Sequence, residues 1–145
     1  MGNAVALASD HAGFELKKHL QPFLRELGYE VHDLGTDSTE SVDYPDFGHA
    51  LANCLLSGIA RWGIAICGSG IGISIAANRH PGIRAALCQN AAQAALARQH
   101  NDANILALGA RMVSEQTAQE CVKTFLSTAF EGGRHEKRVK KLDQE

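Results

Sequence analysis

The sequence predicts an α/β fold built on a doubly wound, mainly parallel sheet of five strands, and three observations carry that expectation. Short apolar runs alternate five times with segments whose apolar residues recur in steps of three and four. The run Trp62 to Ile66 is apolar throughout, as a strand covered on both faces must be. The positions after each run are rich in Gly, Ser, Asp and Asn, the residues that turn the chain from strand into helix.

Element by element, Ala4 to Ala8 reads as a strand, and Phe14, Leu16, Leu20, Phe23, Leu24 and Leu27 as one face of a helix. Gly28 stands where a left-handed helix cap is wanted, and Tyr29 to Leu34 alternates as a second strand. A polar connection from Gly35 to Asp43 leads to a helix around Phe47 to Leu56, the strand at Trp62 to Ile66 and the loop Gly68 to Gly72. Ile73 to Asn78 reads as a short helix and Ile83 to Cys88 as a strand. Ala91 to Gln99 is an alanine-rich helix, Ile105 to Leu108 a strand, and Ser114 to Phe125 a helix. Right-handed crossovers between parallel strands put helices on both faces, a Rossmann-like arrangement for which the expected strand order is 2-1-3-4-5. The segment after Gly132-Gly133 is basic, with Arg134, Lys137, Arg138, Lys140 and Lys141, and is expected to form a helical tail that grips anions.

Length and composition set the bounds. The 145 residues suit one domain over the whole chain, 1–145, with no repeat or proline-rich linker. The hydrophobic fraction of 45% and charged fraction of 21% are those of a soluble globular protein. A net charge of −2 offers nucleic acid no global attraction, so any anion is held locally. Cys54, Cys67, Cys88 and Cys121 are widely spaced, no signal segment opens the chain, and no apolar run reaches the roughly 20 residues of a membrane helix. A reducing, cytoplasmic setting without membrane contact is the expectation.

Ligands of open parallel sheets bind beyond the carboxyl ends of the strands. Those ends carry Ser9-Asp10-His11, Asp33 to Thr36, Cys67-Gly68-Ser69-Gly70, Cys88-Gln89-Asn90 and Gly109-Ala110-Arg111. Cys67 precedes Gly68-Ser69-Gly70-Ile71-Gly72, small residues whose backbone N–H groups can converge at a helix start. Such a nest favours negative charge on the sulfur and on an oxyanion of a bound substrate. The bland alternative is an apolar plug beside a tight turn. Asp10-His11 can orient an imidazole beside a ligand, or Asp10 can simply cap the next helix. His100-Asn101-Asp102 closes the alanine-rich helix, where Asn101 suits a left-handed cap and His100 the negative end of the helix dipole. Arg134 and Arg138, four apart, share a helix face and can close on one phosphate. The remaining histidines, His19, His32, His49, His80 and His135, read as surface or packing residues.

Several chemistries with related signatures fail on spacing. A dinucleotide fingerprint needs its third glycine one place beyond Gly72 and an acidic residue about 20 positions on, where Cys88-Gln89-Asn90 has none. A phosphate-loop NTPase needs Gly-Lys-Ser/Thr, and this chain has Gly72-Ile73-Ser74. A cysteine phosphatase needs an arginine where Ile73 stands. Gly68-Ser69-Gly70 is not a hydrolase elbow, and no metal-ligand spacing is visible.

Taken in order, Ser9-Asp10-His11-Ala12-Gly13-Phe14, Asp43-Tyr44-Pro45-Asp46, Cys67-Gly68-Ser69-Gly70-Ile71-Gly72, Ala76-Ala77-Asn78, Gly82-Ile83-Arg84-Ala85, His100-Asn101-Asp102-Ala103-Asn104, Leu108-Gly109-Ala110-Arg111 and Glu131-Gly132-Gly133-Arg134-His135 closely resemble ribose-5-phosphate isomerase type B. That family extends to galactose-6-phosphate and allose-6-phosphate isomerases. The resemblance implies interconversion of ribose 5-phosphate and ribulose 5-phosphate through an enediolate, with no cofactor or metal. It makes Cys67 the base, with Ser69 and the amides of Gly68, Gly70, Ile71 and Gly72 on the enediolate oxygen. It gives His100 and Asp10 to ring opening and His11, Arg134 and Arg138 to the phosphate, and places Tyr44, Asn101 and Arg111 near the sugar. Some members carry a glutamate base where this chain has Ile73, which cannot accept a proton. The resemblance implies a homodimer, or a dimer of such dimers, with pockets shared between subunits. A six-carbon sugar phosphate as substrate, and a sensor that binds without turnover, are the competing expectations.

Overall fold

Three segments, Ala4–Ser9, Trp62–Cys67 and Ile105–Gly109, are buried at every residue, which places them at the centre of the molecule. In the computed structural model, which describes residues 2–144, they are β1, β3 and β5 of a five-stranded sheet. Glu30–Asp33 (β2) and Ala85–Leu87 (β4) are shorter and only partly buried, and they form its edges. Every pairing is parallel. The helices are α1 (Phe14–Glu26), α2 (Tyr44–Leu56), α3 (Ile71–Asn78), α4 (Ala91–Asn101), α5 (Glu115–Ser127) and α6 (Arg134–Leu142), with a short 3-10 turn at His11–Gly13.

The strand order is β2-β1-β3-β5-β4, not the expected 2-1-3-4-5. The reason lies in the strands themselves. Five buried residues of β5 belong in the interior, whereas the three half-covered residues Ala85–Leu87 suit an edge. The step from β4 back to β5 reverses direction along the sheet, so a right-handed crossover carries α4 to the opposite face from α3. The two cores bear this out. Leu16, Leu20 and Leu24 of α1, Ala94 and Ala97 of α4, and Cys121, Val122 and Phe125 of α5 share one face. Leu51 and Ala52 of α2 and Ile73 and Ala77 of α3 share the other.

Apart from Ile105, which lies on the second face, the strands divide their side chains by size between these faces. Val5, Leu7, Ile64, Ile66, Leu106 and Leu108 point to the first, and Ala4, Ala6, Ala8, Ala65, Cys67 and Ala107 to the second. Small residues there let α2 and α3 lie close: a Cβ added at Gly48 would stand 2.7 Å from the Cβ of Ala76. Truncating a fully buried leucine such as Leu20 or Leu24 to alanine is worth about 2–5 kcal/mol.

Local boundaries differ in instructive ways. The second helix starts at Tyr44 rather than Phe47, because Pro45 fits the first turn, where no N–H is needed. The third starts at Ile71, two residues before the expected start. Asp102, not Asn101, takes the left-handed cap of α4, at φ 46°. The basic tail is helical, as expected.

Candidate active site

The chain reverses its winding between β1 and β3, and the carboxyl ends of those neighbours bring Asp10-His11 beside Cys67. Asp10 is buried, its N–H bonded to the carbonyl of Ile66, next to Cys67 in sequence. Its Oδ1 accepts from the N–H groups of Ala12 (3.0 Å) and Gly13 (3.1 Å), so the capping role is real. His11 is oriented from outside the turn, because the N–H of Val42 donates to its Nδ1 at 3.1 Å. A neutral His11 therefore carries its proton on Nε2, a donor suited to an anion. Tyr44 begins α2 against the same loop, since a side chain at Gly72 would collide with its ring.

Cys67 is 4% exposed and ends β3 opposite Gly109. The loop that follows is shaped by close approach. Gly70 has φ 77°, and a Cβ on it would meet Leu87 Cδ1 at 2.6 Å, Leu108 C at 2.8 Å and Gly109 N at 2.9 Å. Only glycine fits there. Ser69 is exposed, and its Oγ accepts from the N–H of Ile71 at 3.1 Å, leaving its own hydroxyl hydrogen for a ligand. Arg111 is fixed by its N–H on the Gly68 carbonyl (3.0 Å), and its guanidinium lies over Gly68, where an added Cβ would be 2.8 Å from Nη1. One thiol, one hydroxyl, a turn of backbone N–H groups, one imidazole and one guanidinium thus meet at this end of the sheet. The other three thiols are also buried. Burial, reinforced by Cys121, pushes the Cys88 thiol up to about 12 and also raises those of Cys54 and Cys121, which holds them protonated.

His100, Asn101, Arg134 and Arg138 are not part of this group. Helix α4 runs from the carboxyl end of β4 down to the amino end of β5, and Asn104 there bonds both Gly63 and Arg84, at the starts of β3 and β4. From Gly63 to Cys67 the strand climbs about 13 Å, so His100 lies at the far end of the sheet from Cys67. Two arginines hold that end together. Arg98, 3% exposed and lying over Trp62, donates to the carbonyls of Thr128 and Ala103 and to Asp102. Arg84 donates to the carbonyls of Asn101 and Asp102 and to Asp143 at 2.9 Å. Arg134 and Arg138 lie exposed on α6.

His135, expected to be a surface or packing residue, is buried and stacked on His100 with ring centroids 4.4 Å apart. Desolvation, with His100 and Arg134 close by, lowers its pKa below 6.5 and keeps the ring neutral. Glu131 faces both rings, its Oε1 3.6 Å from His135 Nε2 and 3.9 Å from His100 Nε2. Glu131 precedes α6, with Gly132 and Gly133 turning the chain between them, so its separation from His135 is not a helix-face spacing. His49 and His80 pair at 2.7 Å between α2 and the turn after α3.

Comparison with known proteins agrees along the whole chain. Residues 5–142 match the family model described as Ribose/Galactose Isomerase. Ribose-5-phosphate isomerase B of Escherichia coli is 46% identical over 138 residues, 95% of this chain and 93% of that protein. The structure of the Clostridium thermocellum ribose-5-phosphate isomerase B superposes with TM-score 0.95 at 53% identity, covering 97% of this chain and 95% of that one. The Thermotoga maritima enzyme superposes with TM-score 0.95 at 52% identity, covering 99% of both. With its sheet, its loops and these relatives in agreement, the chain belongs to the ribose/galactose isomerase family, among the type B ribose-5-phosphate isomerases.

Proposed function

We propose that this protein interconverts ribose 5-phosphate and ribulose 5-phosphate, with Cys67 as the base. The observation that carries the reading is Cys67 at the mouth of the Gly68–Gly72 turn, with no carboxylate in that loop to take its place. The Cys67 thiolate takes the proton from C2 of the open-chain aldose, the C1–C2 bond gains the electron pair, and the charge settles on the carbonyl oxygen at C1. Ser69 Oγ–H and the loop N–H groups hold that oxygen. The proton then returns from Cys67 to C1, while the C2 hydroxyl gives up its proton and O1 takes one, leaving the ketose. No redox partner is needed, because the oxidation at C2 balances the reduction at C1. His11 and Arg111, at the same end of the sheet, supply donors to the phosphate and the sugar hydroxyls.

The ring-opening His100 and the phosphate ligands Arg134 and Arg138 stand at the opposite end of this chain, so the full site needs a second copy. In the proposed homodimer, the amino end of one protomer, with its His100, Asn101, Arg134 and Arg138, closes the carboxyl end of the other. Asp10 stays with Cys67 and assists from that side. Among the described residues no helix is long and apolar enough to cross a membrane, and all four cysteines are free thiols, which supports a reducing, cytoplasmic setting.

The test is direct. Purified protein should convert ribose 5-phosphate to the ketose, and Cys67→Ala should lose about 10²- to 10⁴-fold or more in kcat while substrate binding persists. Near-normal turnover by that variant would refute the mechanism. Comparing kcat/KM for ribose 5-phosphate, allose 6-phosphate and galactose 6-phosphate identifies the preferred sugar.

A further inference from the structure

We infer that His100, Glu131 and His135 form a binding site for a divalent transition-metal ion of the zinc type, and that metal bound there arrests the enzyme by sequestering His100. The proposed isomerase chemistry uses no metal, and within one chain the cluster stands at the opposite end of the sheet from the cysteine loop. The ligand atoms of the three residues lie within 4.8 Å of one another. Zinc bonds imidazole nitrogen and carboxylate oxygen at about 2.0–2.2 Å, so a tetrahedral ion asks for ligand atoms about 3.4 Å apart. The separations of 3.6 Å and 3.9 Å from Glu131 to the two rings come within a few tenths of an ångström of that requirement.

The donor set also fits the ion. Two imidazoles and one carboxylate suit zinc, copper or nickel and are poor ligands for magnesium or calcium. The scaffold is stiff on one side and adjustable on the other. His135 is 6% exposed on α6, while Glu131 and the His100 ring are more open and can turn toward an ion. Glu131 is itself tied to α4, its N–H donating to the Gln99 carbonyl. Arg134 and Arg138 disfavour an incoming cation, and the Glu131 carboxylate offsets one of those charges. Three protein ligands leave one position for water. Coordination takes the Nε2 of His100, the atom that would exchange a proton with the sugar, so loading with metal and opening the ring exclude each other.

The inhibition half rests on the proposed isomerase function, and the binding half does not, so both are measured. Cobalt is titrated into the full chain and followed by visible absorption, zinc is then added in competition, and zinc is titrated into the isomerase assay. The expectation is one ion per chain, a cobalt spectrum without thiolate-to-metal charge transfer, and inhibition that follows occupancy. Glu131→Gln, an exposed change, should keep basal turnover and weaken zinc by more than the roughly 10- to 100-fold that loss of an outer-shell partner costs. His135→Asn should weaken binding likewise. Unchanged zinc affinity in Glu131→Gln, or a thiolate band in the wild-type cobalt spectrum, overturns the site. Metal binding that depends on Glu131 in a protein with no isomerase activity upholds the site and refutes the proposed function.

Discussion

Mixing two inactive variants should restore activity. Cys67→Ala lacks the proposed base at the carboxyl end of the sheet, and His100→Asn lacks the proposed ring-opening imidazole at the amino end. Within one chain those groups are separated by about 13 Å of strand, from Gly63 to Cys67, with His100 beyond the Gly63 end. Proton transfer works over about 3 Å, so one chain cannot use both on one sugar. In a two-fold dimer whose sites are shared, a hybrid of the two variants has one site with both defects and one with neither. Random pairing makes half of the dimers hybrids, so about a quarter of all sites are intact and about a quarter of wild-type activity returns. The assay is ketose formation after joint refolding of the variants, with native mass spectrometry reporting the hybrid fraction. Each variant alone is the baseline. If hybrids form in full and activity stays at that baseline, the two-chain site is wrong.

Three further outcomes follow from the packing. Lys17, 1% exposed, meets Asp33 Oδ1 at 2.6 Å, and Asp33 also holds the Gly35 N–H that sets the chain beside Ser9. Breaking such a pair costs about 3–5 kcal/mol when it is buried. Asp33 is 36% exposed, so Asp33→Asn should cost about 2 kcal/mol in urea unfolding. Burial raises the Asp33 pKa and Lys17 with Gly35 lowers it more, for a net shift below 3.8. Its stabilisation is present above pH 3.8 and fades as pH falls through the lower folded value, a loss that Asp33→Asn should not show. Gly70→Ala should cost at least the roughly 1–2 kcal/mol of a left-handed alanine, lowering Tm by about 4 °C or more. An unchanged Tm would deny the tight contact with Gly109. His135 favours its neutral form in the fold, so the unfolded chain takes up the proton first as pH drops below 6.5, and stability falls there. His135→Gln should flatten that decline in urea midpoints measured across the range.

What the sequence made legible was local. Trp62 to Ile66 announced a buried strand because every residue is apolar, and Asp10 announced a cap because its carboxylate precedes two free N–H groups. Cys67 stood out because glycines follow it at a strand end. The order of β4 and β5 was not legible, because it depends on how burial is shared among all five strands, and the apolar reading of Ile83 to Cys88 overstated a strand of three residues. The separation of His100 from Cys67 was hidden for a related reason. His100 and Cys67 both stand at the ends of regular elements, but one is at the end of a helix and the other of a strand, and in a parallel sheet those ends are opposite. The stacking of His135 on His100 was not legible because it joins α6 to α4, a contact that no short spacing encodes.

The arginine clamp at the amino end also sets where this molecule is weakest. The cysteine loop is anchored in β3 and β5, which cannot open without dismantling the sheet. His100 stands on the last turn of α4, 40% exposed beyond the buried Ala94 and Ala97 and tied down by guanidinium bonds from Arg84 and Arg98 to carbonyls at chain turns, so that turn can fray before the sheet opens. Gentle warming should therefore displace His100, the proposed ring-opening group, first, while the thiol and its turn stay in place. A molecule in that state still accepts a sugar that is already open and fails on the cyclic form, so its substrate range narrows before its fold is lost.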